Sequence, residues 1–268
     1  MAEETLHRLR VRYAETGRLR YLSHLELLRA VERAVRRSGV PYAVTQGFHP
    51  RLKAAYGPAL PVGVSSQDEW FDLWVRERRP AEEYLAALAA AFPADLAPRE
   101  VAYVDGRAAS LSAGLSIACW DVELGVWADE AAGLGVDALL AQVGPAEVEA
   151  ACAAVCASGS ITYLRDGKPK TVALEGRVAR TPRVFPRADG APGARIELVT
   201  RATNEGALRP DVFMGAVRLQ LAESLAVRGD APGDPAAAVV SCQRCLRAAV
   251  VRTAQYLEGD DGTWVRPI

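Results

Sequence analysis

Two histidines and a short run of cations give this chain its clearest chemical possibilities. His24 opens a helical stretch, and His49, Arg51 and Lys53 fall together in the segment 46–64 among glycines, prolines and aromatics. A base for a ribose hydroxyl, an acid for a leaving oxygen and a cation for the phosphorane are the parts of a metal-independent endoribonuclease. His24, His49 and Lys53 supply those types, but nothing in the sequence brings them within reach of one another. The alternative is that His24 packs at the helix start and His49 bonds within its own loop. Glycine and proline shape a loop without a regular ladder, and an imidazole beside two cations suits a phosphate. No metal cage, phosphate-loop signature or dinucleotide fingerprint accompanies the segment. The residues therefore point to binding, with no catalytic group assigned.

Cysteine spacing raises a second possibility. Cys242 and Cys245 have the separation of half a zinc knuckle, and Cys152 and Cys156 share one helix face. Cys152 and Cys156 also fit an apolar stripe with Val148 and Val155, and free cysteine is commonly buried. No second C-x-x-C completes a ligand set, so no metal and no cofactor is expected.

Basic residues form two further patterns. Arg8, Arg10 and Arg12 alternate with Leu9, Val11 and Tyr13, which predicts a half-buried strand with an arginine face turned to solvent or a partner. Arg29, Arg33 and Arg37 fall four apart on one helix face. Lys168 and Lys170 lie near a hairpin turn later in the chain. Net charge is only −1, yet residues 1–53 hold 11 Lys/Arg against 5 Asp/Glu, and residues 161–209 hold 10 against 5. Between them, residues 121–160 hold none against 7. Two basic blocks brought together by folding would suit a polyanion; solvated surface charge is the competing reading. The expected RNA contacts are Arg8, Arg10, Arg12, Arg29, Arg33, His49, Arg51, Lys53, Lys168 and Lys170.

The elements that must position these groups follow from periodicity. After the first strand, Ser23 and Glu26 form a capping box for a helix over 23–38, stopped by Gly39 and Pro41. Phe71, Leu73 and Val75 alternate as a strand. Tyr84, Leu88 and Phe92 keep helical spacing, and Val101–Val104 closes the round. The order recurs with Trp120–Leu124, a helix from Pro145 to about 157, a hairpin about Asp166-Gly167, a strand at Ile196–Leu198, a helix through Phe213–Leu225 and a last strand over 248–256. The expected fold is α+β, two tandem ferredoxin-like (split βαβ) halves with antiparallel sheets. The halves are residues 1–107 and 114–268, with the boundary within 105–113.

Composition sets the outer limits. The chain has 268 residues, half of them hydrophobic and about a quarter charged, which describes a globular protein. No apolar run approaches the roughly 20 residues of a membrane span. The polar, acidic start does not resemble a secretory signal, and five cysteines without a disulfide framework suit a reducing cytoplasm.

Three stretches carry a resemblance. Arg20-Tyr-Leu-Ser-His-Leu-Glu26, Gln46-Gly-Phe-His-Pro-Arg-Leu-Lys53 and Pro61-Val-Gly-Val64 resemble the radical-SAM-linked protein family, with weaker echoes at Lys168-Pro-Lys170, Leu208-Arg-Pro210 and Val251-Arg-Thr253. That family is a bacterial domain of unknown function, found alone or joined to a radical S-adenosylmethionine protein. The resemblance implies a link to radical enzymes and to RNA metabolism or ribosome maturation. The chain lacks a C-x-x-x-C-x-x-C cluster motif, so it resembles the partner alone. The expected role is a non-catalytic RNA-binding or adaptor protein. A metal-independent endoribonuclease and a protein-only adaptor are the alternatives.

Overall fold

The computed structural model describes residues 5–127, 136–228 and 234–268. Residues 128–135, within the acidic stretch 121–160, lie outside the described residues. The chain is mixed α+β with mostly antiparallel sheet pairing. Its contacts divide it into two compact units, Met1–Ala118 with Arg252–Ile268, and Cys119–Val251. The sequence assigns 252–268 to the second half, whereas the contacts assign it to the first unit. No described helix is long and apolar enough to cross a membrane.

In the first unit β1 (His7–Glu15), α1 (His24–Arg37), β2 (Ala54–Tyr56), β3 (Ser65–Val75), α2 (Ala81–Ala91) and β4 (Pro98–Val104) follow in chain order. The strands lie in the order β4-β1-β3-β2, each antiparallel to its neighbour. Alternation along β1 sends Leu9, Val11 and Tyr13 to one face. There they pack with Phe71, Leu73 and Val75 of β3 and with the buried stripes of α1 (Leu27, Val31, Val35) and α2 (Tyr84, Leu88). The Ser23 hydroxyl accepts the Glu26 N–H while the Glu26 carboxylate accepts the Ser23 N–H, so the capping box fixes where α1 begins. Gly39 ends it in the left-handed region at φ +71°.

The second unit begins in β5 (Leu115–Val126), which follows the short α3 (Leu111–Gly114). It continues through α4 (Asp137–Leu140), α5 (Pro145–Ala157), β6 (Ser160–Arg165), β7 (Lys168–Ala173), β8 (Val178–Phe185), β9 (Gly193–Thr203), β10 (Gly206–Ala207), α6 (Pro210–Arg228) and α7 (Pro235–Cys245). It closes in β11 (Leu246–Glu258), whose last residues return to the first unit beside β12 (Trp264–Val265). Here the expected order is corrected. The hairpin about Asp166-Gly167 is present, but β6 and β7 form a separate two-stranded sheet. The partners of β9 are β5, β8 and β10 instead. Nothing in local periodicity tells a strand which neighbour it will pair with, so the hairpin was legible and its detachment was not.

Candidate functional site

The arginine face of β1 is a correction. Arg8 and Arg10 are 7% and 1% exposed, and both bond the fully buried Asp72. Arg10 straddles the carboxylate, Nε to Oδ1 at 2.8 Å and Nη2 to Oδ2 at 3.0 Å, and Arg8 reaches Oδ2 through Nε and Nη2. The remaining N–H groups donate to the carbonyls of Ala108, Ala109 and Pro267. Arg12 pairs with Asp68, whose other oxygen accepts the Gln255 N–H. Trp70, Leu111 and Leu115 form a small second core in the same unit. A solvent-facing arginine stripe was expected because β1 was read alone. The antiparallel register sets Arg10 opposite Asp72 and Arg12 opposite Trp70. The signal lay in β3, where Asp68, Trp70, Asp72 and Trp74 alternate at the same period. Residues 105–109, read as a boundary, supply carbonyls to this network.

The helix-covered face holds a second buried charge cluster. Arg252 donates from Nη1 to both Glu69 carboxylate oxygens, at 2.8 and 3.1 Å, and reaches the carbonyls of Pro58 and Ala59. Glu15 is 2% exposed, and its Oε2 has no hydrogen-bond partner among the described residues. Burial, then the neighbouring Glu69 charge, pushes the Glu15 carboxyl up to about 8. Burial also raises Glu69, against the opposing pull of Arg252. A cavity of about 10 Å³, large enough for roughly one water, lies among Tyr13, His24, Tyr56 and Glu69. The Tyr56 hydroxyl is another buried group without a partner. Sequence reasoning missed Glu15, and it missed the pairing of Glu69 with Arg252 because the two lie 183 residues apart.

His24 is exposed at the first turn of α1 and lines that cavity. His49 sits elsewhere, in a turn closed by Thr45 and Arg51. The Thr45 N–H donates to the Arg51 carbonyl, and the Arg51 N–H donates to the Thr45 hydroxyl. Phe48, His49 and Arg51 of this turn are exposed, Phe48 completely. Lys53 is half-buried, with Nζ 5.5 Å from the centre of the Trp74 ring. Among the described residues no hydrogen bond joins His24 to His49 or Lys53.

Arg29, Arg33 and Arg37 are exposed along one side of a groove of about 550 Å³, with Leu19, Leu22 and Pro93 as apolar lining. Arg37 uses one N–H on the Ala91 carbonyl. Glu26 is the acidic group in the lining, and Ser23 already engages its carboxylate. Lys168 and Lys170 are exposed on β7 in the second unit.

Among the described residues the four cysteines of the metal question form no disulfide, and Cys152, Cys242 and Cys245 are buried. Burial pushes the Cys152 thiol up to about 12 and raises Cys242, which suits core packing over reactivity. Among the described residues no three His, Cys, Asp or Glu side chains converge as a metal site.

Curated proteins give no match to this sequence. A family profile does match, over residues 8–210, a range that holds Arg8, Arg10, Asp72, Glu15, Glu69 and the α1 groove but not Arg252. The chain belongs to that family, described as uncharacterized proteins conserved in bacteria (DUF2344).

Proposed function

We propose that this protein is a non-catalytic RNA-binding adaptor in the cytoplasm, working beside a radical S-adenosylmethionine enzyme in RNA metabolism or ribosome maturation. The observation that carries the RNA reading is the groove along α1, where Arg29, Arg33 and Arg37 stand exposed above apolar side chains. With Arg8 and Arg10 bound to Asp72, this is a basic face that stays open in the first unit. The exposed Phe48 beside His49 and Arg51 supports the same reading, because single-stranded RNA is held by cations on phosphates and rings against bases. The resemblance to the radical-SAM-linked family supports the enzyme partner. The antiparallel order β4-β1-β3-β2 supports reading the first unit as ferredoxin-like.

Retention of a cellular RNA pool across a salt series tests the reading. The wild type is expected to lose RNA steeply with salt, because each phosphate contact on a single strand contributes a slope of about −0.7. Replacing Arg29, Arg33 and Arg37 with Ala should flatten that slope by about 2 on the same count of three contacts. His24→Ala should leave affinity unchanged. Cleaved product from the wild type without divalent metal, lost in His24→Ala, would establish the endoribonuclease instead. Absence of salt-dependent retention at low ionic strength would leave the protein-only adaptor.

A further inference from the structure

The detached β6–β7 sheet has two outer edges, and they are built differently. Along β7 the sequence is Lys168-Pro169-Lys170-Thr171, so one backbone donor is missing and two ammonium groups stand guard. Lysine and proline on an edge strand are the usual means of preventing another chain from pairing there. β6 reads Ser160-Ile161-Thr162-Tyr163-Leu164-Arg165 and has neither lysine nor proline, its one cation, Arg165, lying at the turn end. Its pairing among the described residues is with β7 alone.

That unguarded edge borders a groove of about 490 Å³ within the second unit. Four consecutive residues of β6, Ser160 through Tyr163, line it. Side chains of a strand alternate between faces, so four in succession can line one groove only if the backbone edge itself faces it. The opposite wall is a single face of α6, where Asp211, Gly215, Leu219 and Glu223 recur every four residues. Gly215 has open space beyond its Cα, with nothing within 4 Å of where a Cβ would stand. Leu219 is 40% exposed and gives the wall an apolar centre. No lysine or arginine lines the groove, whereas Asp211 and Glu223 do. Asp211 has Arg209 at 2.8 Å.

We propose that β6 is a docking edge for an extended segment of a partner protein, one that alternates apolar side chains with lysine or arginine. The segment adds a third strand beside β6, in the manner of β-strand addition, with main-chain hydrogen bonds supplying affinity. Its apolar side chains meet Leu219 and Ile161, and its cations meet Glu223 and Asp211. This inference does not depend on RNA binding.

The test uses the full chain and two labelled ten-residue peptides that alternate valine with lysine or valine with glutamate. The lysine peptide is expected to bind and to slow amide exchange along residues 161–164. The glutamate peptide should bind at least tenfold more weakly, and Glu223→Lys should reverse that preference. Gly215→Leu should abolish binding without lowering the thermal midpoint, because the new side chain enters open space on a helix. No binding of the lysine peptide, equal affinity for the two, or binding indifferent to Gly215→Leu would overturn the proposal. Self-association of the wild type that Gly215→Leu removes would make a second copy the occupant and overturn the assigned partner.

Discussion

Asp72 takes four N–H donors from two guanidiniums and is fully buried, so its removal leaves two cations without their counterion. Breaking a buried ion pair by deleting one partner costs about 3–5 kcal/mol, while replacing the whole set with apolar groups of like volume is often neutral. Asp72→Ala should therefore lose that much in urea unfolding. Combining Asp72→Leu with Arg8→Met and Arg10→Met should recover most of the loss. A triple variant less stable than Asp72→Ala would contradict this account. Glu15 makes a pH prediction. Burial pushes its native carboxyl up to about 8, above the ordinary carboxyl value of 4.5, so between them the folded state holds a proton that the unfolded chain has released. Stability from this group is fully present below about 4.5 and is lost as pH rises through 8. Each fully unmatched proton contributes a slope of about −1.4 kcal/mol per pH unit. Glu69, also raised by burial, acts with the same sign. Unfolding midpoints between pH 5 and 8 should fall in the wild type and fall less in Glu15→Gln, which imitates the protonated acid.

At the scale of elements, α1 was legible because each of its signals is local. Ser23 and Glu26 lie three apart, the buried stripe repeats every turn, and Gly39 with Pro41 stops it. Ser23→Ala should cost about 1 kcal/mol, read as a lower thermal midpoint with the fold retained. β1 and β3 were legible for the same reason, through period-two alternation. What was illegible depends on pairing across long separations. Arg10 finds Asp72 at a distance of 62 residues, and Glu69 finds Arg252 at 183. α7 also escaped notice, because Cys242 and Cys245 drew attention to ligand spacing within what is a buried helix end. Of the expected contact residues, Arg29, Arg33, His49 and Arg51 are exposed, Lys53 rests near Trp74, and Arg8 and Arg10 belong to the interior.

On the scale of the whole molecule, the chain leaves the first unit in β5 and comes back to it in β11. The returning segment supplies Arg252 to Glu69, Gln255 to Asp68 and the Pro267 carbonyl to Arg10. Deleting Arg252–Ile268 should thus unfold the first unit. Residues 1–118 expressed alone should show weak amide protection in β3, and adding the 252–268 peptide should raise it. Full protection in the shorter fragment would show that the returning segment is dispensable.

The same return sets an order of events at the ribosome. Glu69 is made 183 residues before Arg252, and chains emerge at about 5–20 residues per second. The nascent β3 therefore waits on the order of 10–40 s for its guanidinium, long after α1 and α2 have been able to form. During that interval its carboxylates are still hydrated and the sheet is incomplete, so this unit finishes folding only after Arg252 has emerged. A ribosome stalled before residue 252 would carry a first unit open to proteases, and one released after it would not.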